Sequence, residues 1–182
     1  ATGICAGTTA TLTLSGYTGT IQWQTNSSGS WQNISGETAI TYTTPPLAIT
    51  TSYRAVVTSG VCASDNSSVS TVTVVTPDVT GVSGNDYIWT GAINTDWNGS
   101  TTGNWLLYSG TTFSIPVQVP TGSSNVFIRA YESCFTTIPV VSTINVATCN
   151  NLSIESGNSL QVNAGGNLTI NGNLSNSGNL TM

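Results

Sequence analysis

The amino-acid sequence predicts an all-β protein, in which a β-sandwich is followed by a β-rich cap and the first coil of a parallel β-solenoid. Short stretches of alternating apolar and polar residues are separated by runs of Gly, Ser, Asn and Pro, which is typical of strands joined by turns. No stretch of useful length has the periodicity of an amphipathic helix. A short Asn-Leu-Ser/Thr motif that recurs towards residue 182 favours stacked coils in the second half.

The first unit, residues 1–76, has the pattern of a two-sheet sandwich. Four stretches place apolar side chains at alternate positions, so that each predicts a strand with one buried face: TATLTLSG, GTIQWQT, TSYRAVV and SVSTVTVV. The segments between them are rich in turn-forming residues, and about seven short strands at this spacing are typical of a β-sandwich. Trp23 is the expected core anchor of this unit.

Local motifs in the first unit resemble those of a known family. They are Cys-x-Gly at Cys5, Trp-Gln at Trp23 and at Trp31, Thr-Tyr-Thr at 41–43 and YRAVVTSGVC at 53–62. Across residues 3–75 the chain resembles the immunoglobulin-like repeats of very large surface proteins of Bacteroidetes, including gliding-motility adhesins. This resemblance implies a spacer module, strung in tandem with others and exported by the type IX secretion system.

The second unit, residues 87–182, follows a linker at 77–86 that is rich in Pro, Gly and Asp. It opens with three tryptophans at an interval of eight, Trp89, Trp97 and Trp105. This W-x-G…W…N-W pattern and the later VPTGSSNVFIRA resemble the opening segment that precedes β-solenoid stretches in many secreted bacterial proteins. The resemblance implies an architecture but no activity.

Leucine spacing in the last part of the chain predicts the solenoid coil. Leu152, Leu160 and Leu168 are eight residues apart, and Leu174 and Leu180 follow at intervals of six. In most segments a second apolar residue follows two positions on, which gives an inward-pointing pair on a short strand. Neighbouring asparagines either form side-chain ladders between coils or satisfy backbone groups at corners. These asparagines are Asn151, Asn167, Asn173 and Asn179.

The repeat covers little more than one coil, whereas a solenoid generally needs about three stacked repeats to be stable. Its last strand would also leave an unpaired edge that no charged residue or proline protects. We therefore expect the stop at Met182 to be a cut, a limit of order or a docking surface rather than a natural end.

The four cysteines predict two structural disulfides, and hence an oxidising, extracellular setting. Three pairings are possible, and the local one, Cys5 with Cys62 and Cys134 with Cys149, agrees with the division into two units. A zinc site is not favoured, because the chain has neither a C-x-x-C pair nor a histidine.

Charge and residue types exclude several classes of function. With two arginines, no lysine and a formal net charge of −5, the chain cannot neutralise the phosphates of nucleic acid, and anionic membrane surfaces are disfavoured too. Catalytic triads that need histidine and chemistry that needs lysine are impossible. No apolar run approaches the roughly 20 residues of a membrane span. Paired carboxylates remain, but Glu132 and Glu155 are isolated, so we expect no enzyme.

Two hypotheses about ligands arise from single residue types. Asp78, Asp86 and Asp96 flank the linker, where their oxygens would suit a calcium ion, although solvated turn aspartates are the simpler interpretation. No other cofactor is expected. Trp97 and Trp105 lie in Gly-, Asn- and Thr-rich sequence, so they either stack on the sugar rings of a surface polysaccharide or plug the open end of the solenoid.

Together these features predict a non-enzymatic structural or adhesive module of a large bacterial cell-surface protein. It would space an adhesive tip from the cell through disulfide-stapled sheets, with neighbouring modules of the same chain or identical subunits as partners. Three alternatives stay open. They are a carbohydrate-binding module that uses Trp97 and Trp105, a self-assembling extracellular fibre subunit, and an accessory region of a secreted polysaccharide-degrading enzyme.

Overall fold

A computed structural model describes residues 3–98, 102–129, 134, 137–143 and 146–182, and it confirms that the protein is all-β. Within those ranges it contains twenty short strands, one turn of 3-10 helix and no α-helix. The first half holds β1 (Ile4–Cys5), β2 (Thr11–Thr13), β3 (Thr20–Thr25), β4 (Gln32–Asn33), β5 (Thr41–Thr43), β6 (Thr51–Thr58), β7 (Asp65–Asn66), β8 (Ser70–Val72) and β9 (Val74–Val75).

The second half opens with β10 (Asp86–Trp89), the 3-10 turn Thr102–Asn104, β11 (Trp105–Tyr108) and β12 (Phe113–Ser114). It continues with β13 (Val126–Ile128), β14 (Val140–Val141), β15 (Val146–Cys149), β16 (Leu152–Ile154), β17 (Ser159–Val162), β18 (Asn167–Ile170), β19 (Leu174–Asn176) and β20 (Asn179–Thr181).

The first half is built on one antiparallel sheet in the order β4-β3-β6-β7, with β8 also paired to β6. Trp23 on β3 lies opposite Ala55 on β6, so that alternate side chains of both strands share one face. The β2–β5 pair covers that face: the ring of Tyr42 lies 5.9 Å from that of Trp23 and 5.6 Å from that of Tyr53. Trp23 is 3% exposed and belongs to the resulting core.

The second half begins with antiparallel strands and continues with parallel ones. β11 pairs with β10 and β12, and β10 also pairs in parallel with β13. From β13 onwards the described strands form three parallel sheets in the orders β13-β16-β19, β14-β17-β20 and β15-β18. Successive turns of the chain thus stack, with Leu174 on Leu152 and Leu180 on Leu160. We call the described residues between 126 and 182 the parallel coil.

The interior of the parallel coil is apolar because alternate residues of each strand point inward. Leu152, Ile154 and Leu160 are at most 1% exposed, whereas Ser153 and Gln161 between them are only partly buried. Burying each such aliphatic side chain stabilises the fold by roughly 1.5–3 kcal/mol. The stacked leucines therefore form the centre of the coil.

Glycine is required at the corners where one turn of the coil crosses the next. A Cβ atom at Gly178 would lie 2.5 Å from the carbonyl oxygens of both Glu155 and Asn158. At Gly166, a Cβ atom would lie 2.6 Å from the carbonyl oxygen of Val141. Only glycine permits so close an approach of two backbones, so these corners let successive turns stack.

Candidate functional site, the joint between the two halves

We call the joint three contacts that tie the second half of the chain to its first half or to the linker. The first contact is covalent. A disulfide links Cys5, on β1, to Cys134, with their Cα atoms 5.4 Å apart and 129 residues apart in sequence. Because a disulfide restricts the unfolded chain, a loop of this length receives a large stabilisation from it.

The predicted disulfide between Cys5 and Cys62 is wrong, because β6 separates the two residues. Cys5 lies beside β9, where Val74 donates its N–H to the hydroxyl of Thr50, next to the first residue of β6. Cys62 lies four residues beyond Thr58, the last residue of β6, and is an exposed free thiol. The eight residues of β6 span roughly 25 Å, whereas a disulfide needs Cα atoms about 4.4–6.8 Å apart.

The predicted disulfide between Cys134 and Cys149 is also wrong. Cys149 is a free thiol on β15, on the face of that strand that points into the parallel coil, and its side chain is fully buried. Its Sγ donates a long hydrogen bond to the carbonyl oxygen of Thr169 at 4.0 Å. Burial raises the pKa of the Cys149 thiol to about 11. Because alternate residues of β15 point into the coil, Cys149 is part of the core. Cys134 is paired with Cys5 instead.

The two free thiols are expected to differ sharply in reactivity. In the folded protein at pH 8, iodoacetamide should modify Cys62 but not Cys149. Burial keeps the Cys149 side chain protonated, and the thiolate rather than the thiol is the form that reacts. Mass spectrometry of digested samples would locate the label, and Cys62→Ser should abolish it. Equal labelling of both thiols before unfolding would contradict this expectation.

The same raised pKa makes stability depend on pH. The unfolded chain ionises Cys149 near the ordinary pKa of 9.0, while the folded chain keeps the proton until about pH 11. The free energy of unfolding should therefore fall as the pH rises from 9.0 to about 11. A Cys149→Ala variant should lack this part of the decline when unfolding is followed at several pH values.

The second contact of the joint is made by Arg129, which follows β13. Its Nη1 donates to the carbonyl oxygen of Asp78 at 2.7 Å, and its Nη2 donates to that of Thr80 at 3.0 Å. Nη2 also forms an ion pair with Glu155, and the guanidinium carbon lies 5.1 Å from the centre of the Phe127 ring. The Arg129 side chain is only 5% exposed and that of Glu155 is 40% exposed, so these charge-assisted bonds are partly shielded from water. Arg129 thus holds part of the predicted linker on the coil.

The third contact is apolar and is made by β11 and β12. Trp105 belongs to the core of the second half, whereas the next residue, Leu106, belongs to the core of the first half. Phe113 and Ile115 pack against that first core as well. Because consecutive residues of a strand point to opposite faces, one strand supplies side chains to both cores.

Arg129 and Leu106 were not among the candidates that the sequence suggested. A signal for Arg129 existed, since it is one of only two cationic residues in the chain and continues the alternation of β13. Leu106 carries no such signal, because the run WLLY does not reveal that each face of its strand meets a different core.

Each of the three aspartates considered for calcium accepts a hydrogen bond from the backbone N–H of a residue two or three positions away. Asp78 accepts hydrogen bonds from the hydroxyl and the N–H of Thr80, which lower the pKa of its carboxyl group. Asp86 is buried and accepts a backbone N–H, and so does Asp96. No three His, Cys, Asp or Glu side chains in the described ranges form a group that could hold a metal ion. The aspartates therefore do not share one site.

Of the two glutamates considered for catalysis, Glu155 and Glu132, only Glu155 lies among the described residues. Glu155 is ion-paired with Arg129 and is part of the joint. Glu132 lies outside the described residues. The geometry therefore gives Glu155 a structural partner, and its charge neutralises a buried guanidinium.

The hypothesis that Trp97 and Trp105 contact a sugar is wrong, because both side chains are fully buried. The pairing of β10 with β11 sets Trp105 opposite Trp89, and the ring of Trp105 lies edge-on at 4.9 Å from those of Trp89 and Trp97. The indole N–H of Trp105 donates to the carbonyl oxygen of Trp97 at 3.1 Å. The eight-residue interval thus produces one aromatic cluster, which packs against the first turn of the parallel coil.

Comparison with known proteins adds one match. Residues 1–76 match a family described as a domain of unknown function, DUF8696, and the match ends where the sequence predicts the first unit to end. No curated protein and no solved structure matches the chain. In the described part of the chain, no helix is long and apolar enough to cross a membrane.

Proposed function

We propose that the chain is a non-enzymatic structural module of a large bacterial cell-surface protein, where it acts as a disulfide-stapled spacer or stalk in adhesion or gliding. In this proposal the first half is an immunoglobulin-like sandwich, and the second half is the capped start of a parallel β-solenoid. The resemblance to surface adhesins of Bacteroidetes supports an extracellular location, reached by type IX secretion. Its partners are then the neighbouring modules of the same protein.

The joint is the observation that carries this proposal. A spacer has to hold its parts in a set relation under tension, and a flexible linker between two modules would prevent that. Here the Cys5–Cys134 disulfide spans the two halves. The buried guanidinium of Arg129 adds two part-buried hydrogen bonds to the segment that the sequence predicts to be a linker. Covalent and non-covalent contacts therefore act at the same place.

Composition supports the same role. With only two arginines and seven acidic residues, the chain depends for its solubility on Ser, Thr, Asn and Gly rather than on charge. A chain without histidine or lysine also lacks the side chains that most often act as general bases or activate nucleophiles. A structural role requires none of them.

Force spectroscopy on single chains, pulled from both ends, tests the covalent part of the proposal. In the oxidised chain the disulfide should prevent extension of the segment between the two cysteines, which are 129 positions apart, and that segment corresponds to about 460 Å of contour length. Reduction, or the double substitution Cys5→Ser and Cys134→Ser, should release that length. Equal contour lengths with and without reductant would overturn the proposal.

Small-angle X-ray scattering tests whether the joint holds the halves in place. Arg129→Met should broaden the distribution of maximum dimensions, because the segment at Asp78 and Thr80 loses its donors. Arg54→Met is the matched control, since the other arginine of the chain lies over the Trp31 ring within the first half. Two independently moving halves in the oxidised wild-type chain would refute a spacer role.

A further inference from the structure

A groove opens on one side of the first half, between the loop that follows β2 and the segment that contains β7. We call it the side groove. Residues 13–18 form one wall, Ala63 and residues 65–68 form the other, and Val57 and Ser59 complete the lining. Its volume is about 460 Å³, and small-molecule sites in proteins typically measure roughly 300–1,000 Å³. The side groove is therefore large enough to hold a small ligand.

Backbone contacts fix both walls of the side groove to β6. The first wall leads into Gly19, which has a φ of 131° and where a Cβ atom would clash with the carbonyl oxygen of Thr58. In the second wall, the hydroxyl of Ser67 accepts the N–H of Ala55 at 2.9 Å, and the N–H of Ser67 donates to the carbonyl oxygen of Ala55 at 2.8 Å. A ligand would thus meet walls that are already in place, so little ordering free energy is lost on binding.

Several polar groups of the side groove have no partner within the described part of the chain. The side chains of Tyr17, Asn66 and Ser68 form no hydrogen bond with another described residue. One carboxylate oxygen of Asp65 accepts the backbone N–H of Asn66 at 2.8 Å, which leaves the second oxygen as an acceptor. Because a carboxylate only accepts whereas an amide and hydroxyls do both, a matching ligand has to donate as well as accept.

Tyr17 gives the side groove an apolar surface beside these polar groups. Its side chain is partly buried and packs against the core of the first half while it lines the groove. Leu14 and Val57, which are also partly buried, add aliphatic surface. An aromatic ring that a core holds in place is a rigid platform for the C–H groups of a ligand.

Charge restricts the ligand to a neutral one. Among the described residues that line the side groove, Asp65 is the one acidic side chain and none is basic, so an anion would find no counter-charge. A smaller adjoining cavity reaches Arg54, but its Nε donates to Gln24 at 2.7 Å and its guanidinium lies over the Trp31 ring. A metal ion is not favoured either, because a single carboxylate is a weak cation site.

An extended peptide fits the side groove less well than a ligand bound by side chains. A peptide strand would have to pair with β2 or β7, which are end strands of their sheets. β2 has three residues and β7 has two, so either edge offers few backbone hydrogen bonds. The hydroxyl, amide and carboxylate groups of the walls are the larger source of contacts.

We propose that the side groove binds a short, neutral oligosaccharide. A sugar ring combines an apolar C–H face with hydroxyl groups that both donate and accept hydrogen bonds. Its C–H face packs on Tyr17, and its hydroxyls donate to Asp65 and bond to the amide of Asn66. This binding site lies in the first half, involves neither Trp97 nor Trp105, and does not depend on the spacer role.

Titration of the isotope-labelled full chain with sugars, followed by NMR, tests the proposal. The probes are cellohexaose, xylohexaose, mannohexaose and maltohexaose, each up to about 10 mM, which detects a Kd near 1 mM. At least one should shift the amide resonances of residues 13–18 and 65–68. Hexagalacturonate, the anionic counterpart, should bind about tenfold more weakly or not at all. If none of the neutral sugars shifts these resonances, the proposal is wrong.

Substitutions of Tyr17 test the aromatic platform. Tyr17→Ala should raise the Kd of the bound sugar by about tenfold or more, whereas Tyr17→Phe keeps the ring and should raise it by less than about threefold. Tyr108→Ala is the matched control, since Tyr108 is a partly buried tyrosine on β11, outside the side groove. Fluorescence of the buried tryptophans would show that the variants are folded.

Asp65→Asn tests the polar contact at an exposed position, where the fold should be unaffected. It should raise the Kd by about fivefold or more, because one carboxylate acceptor becomes a donor. Glu37→Gln, in the first half but outside the groove lining, is the control and should leave the Kd unchanged. Sugar binding that neither Tyr17→Ala nor Asp65→Asn weakens would lie elsewhere and would overturn the proposal. Shifts caused by the peptide acetyl-TVTVT-amide but by no sugar would show strand docking and would overturn it as well.

Discussion

Replacing Cys5 and Cys134 together by serine is expected to lower the free energy of unfolding by about 5 kcal/mol. The bond closes a loop of 129 residues, and the entropy that an unfolded chain regains on losing a cross-link grows with the logarithm of that length. The joint then keeps the hydrogen bonds of Arg129 to the linker and the apolar contact. We therefore also expect the urea transition, followed by tryptophan fluorescence, to lose cooperativity.

Cys62→Ser is the matched control for this experiment, because Cys62 is an exposed free thiol. It should leave the free energy of unfolding unchanged to within about 0.5 kcal/mol. Reducing the wild-type chain should reproduce the double substitution. If the double variant is as stable as the wild type, the two halves do not depend on the disulfide, and the expectation is wrong.

Trp105→Ala is expected to lower the free energy of unfolding by about 4 kcal/mol. The side chain is fully buried and makes edge-on contacts with the rings of Trp89 and Trp97. Its removal leaves a cavity at the start of the parallel coil and deprives the carbonyl oxygen of Trp97 of its donor. Thermal and urea unfolding of the purified variant would measure the loss.

Trp31→Ala is the appropriate control, because Trp31 is only partly buried and the Arg54 guanidinium lies 4.4 Å from its ring centre. Its loss should cost about 1 kcal/mol. A surface tryptophan that binds sugar would behave like this control, since its contacts are made with the ligand and not with the core. A Trp105→Ala variant as stable as Trp31→Ala would contradict the structural role of the aromatic cluster.

Strand positions could be predicted where an alternating pattern has a long partner strand. GTIQWQT and TSYRAVV correspond to β3 and β6, which pair with each other over six residues, Thr20–Thr25 opposite Tyr53–Thr58. TATLTLSG has an equally clear pattern, but only Thr11–Thr13 forms a strand, because its partner β5 is three residues long. The length of a strand therefore depends on its neighbour as well as on its own sequence.

Periodic motifs were informative for a related reason. The eight-residue interval of the tryptophans reappears as one aromatic cluster. The six- and eight-residue intervals of the leucines place them on successive strands of a turn, so that Leu174 stacks on Leu152 and Leu180 on Leu160. In a repeat, equivalent side chains occupy equivalent environments, so the repeat predicts that successive turns of the chain stack. Whether those environments are buried or exposed does not follow, which is why the sequence left Trp97 and Trp105 open between a sugar contact and a plug of the solenoid, and burial decides for the interior.

The sequence by itself determined the all-β class, the apolar face of each strand and the absence of histidine- and lysine-dependent chemistry, because these depend on residue type and local order. Only the tertiary structure decided which cysteines are paired and where the linker is held. Cys5 meets Cys134, and Arg129 reaches Asp78, through contacts that are more than 50 residues apart in the chain. Such pairs are set by which ends of packed sheets come together, and side-chain alternation along a strand does not encode that arrangement.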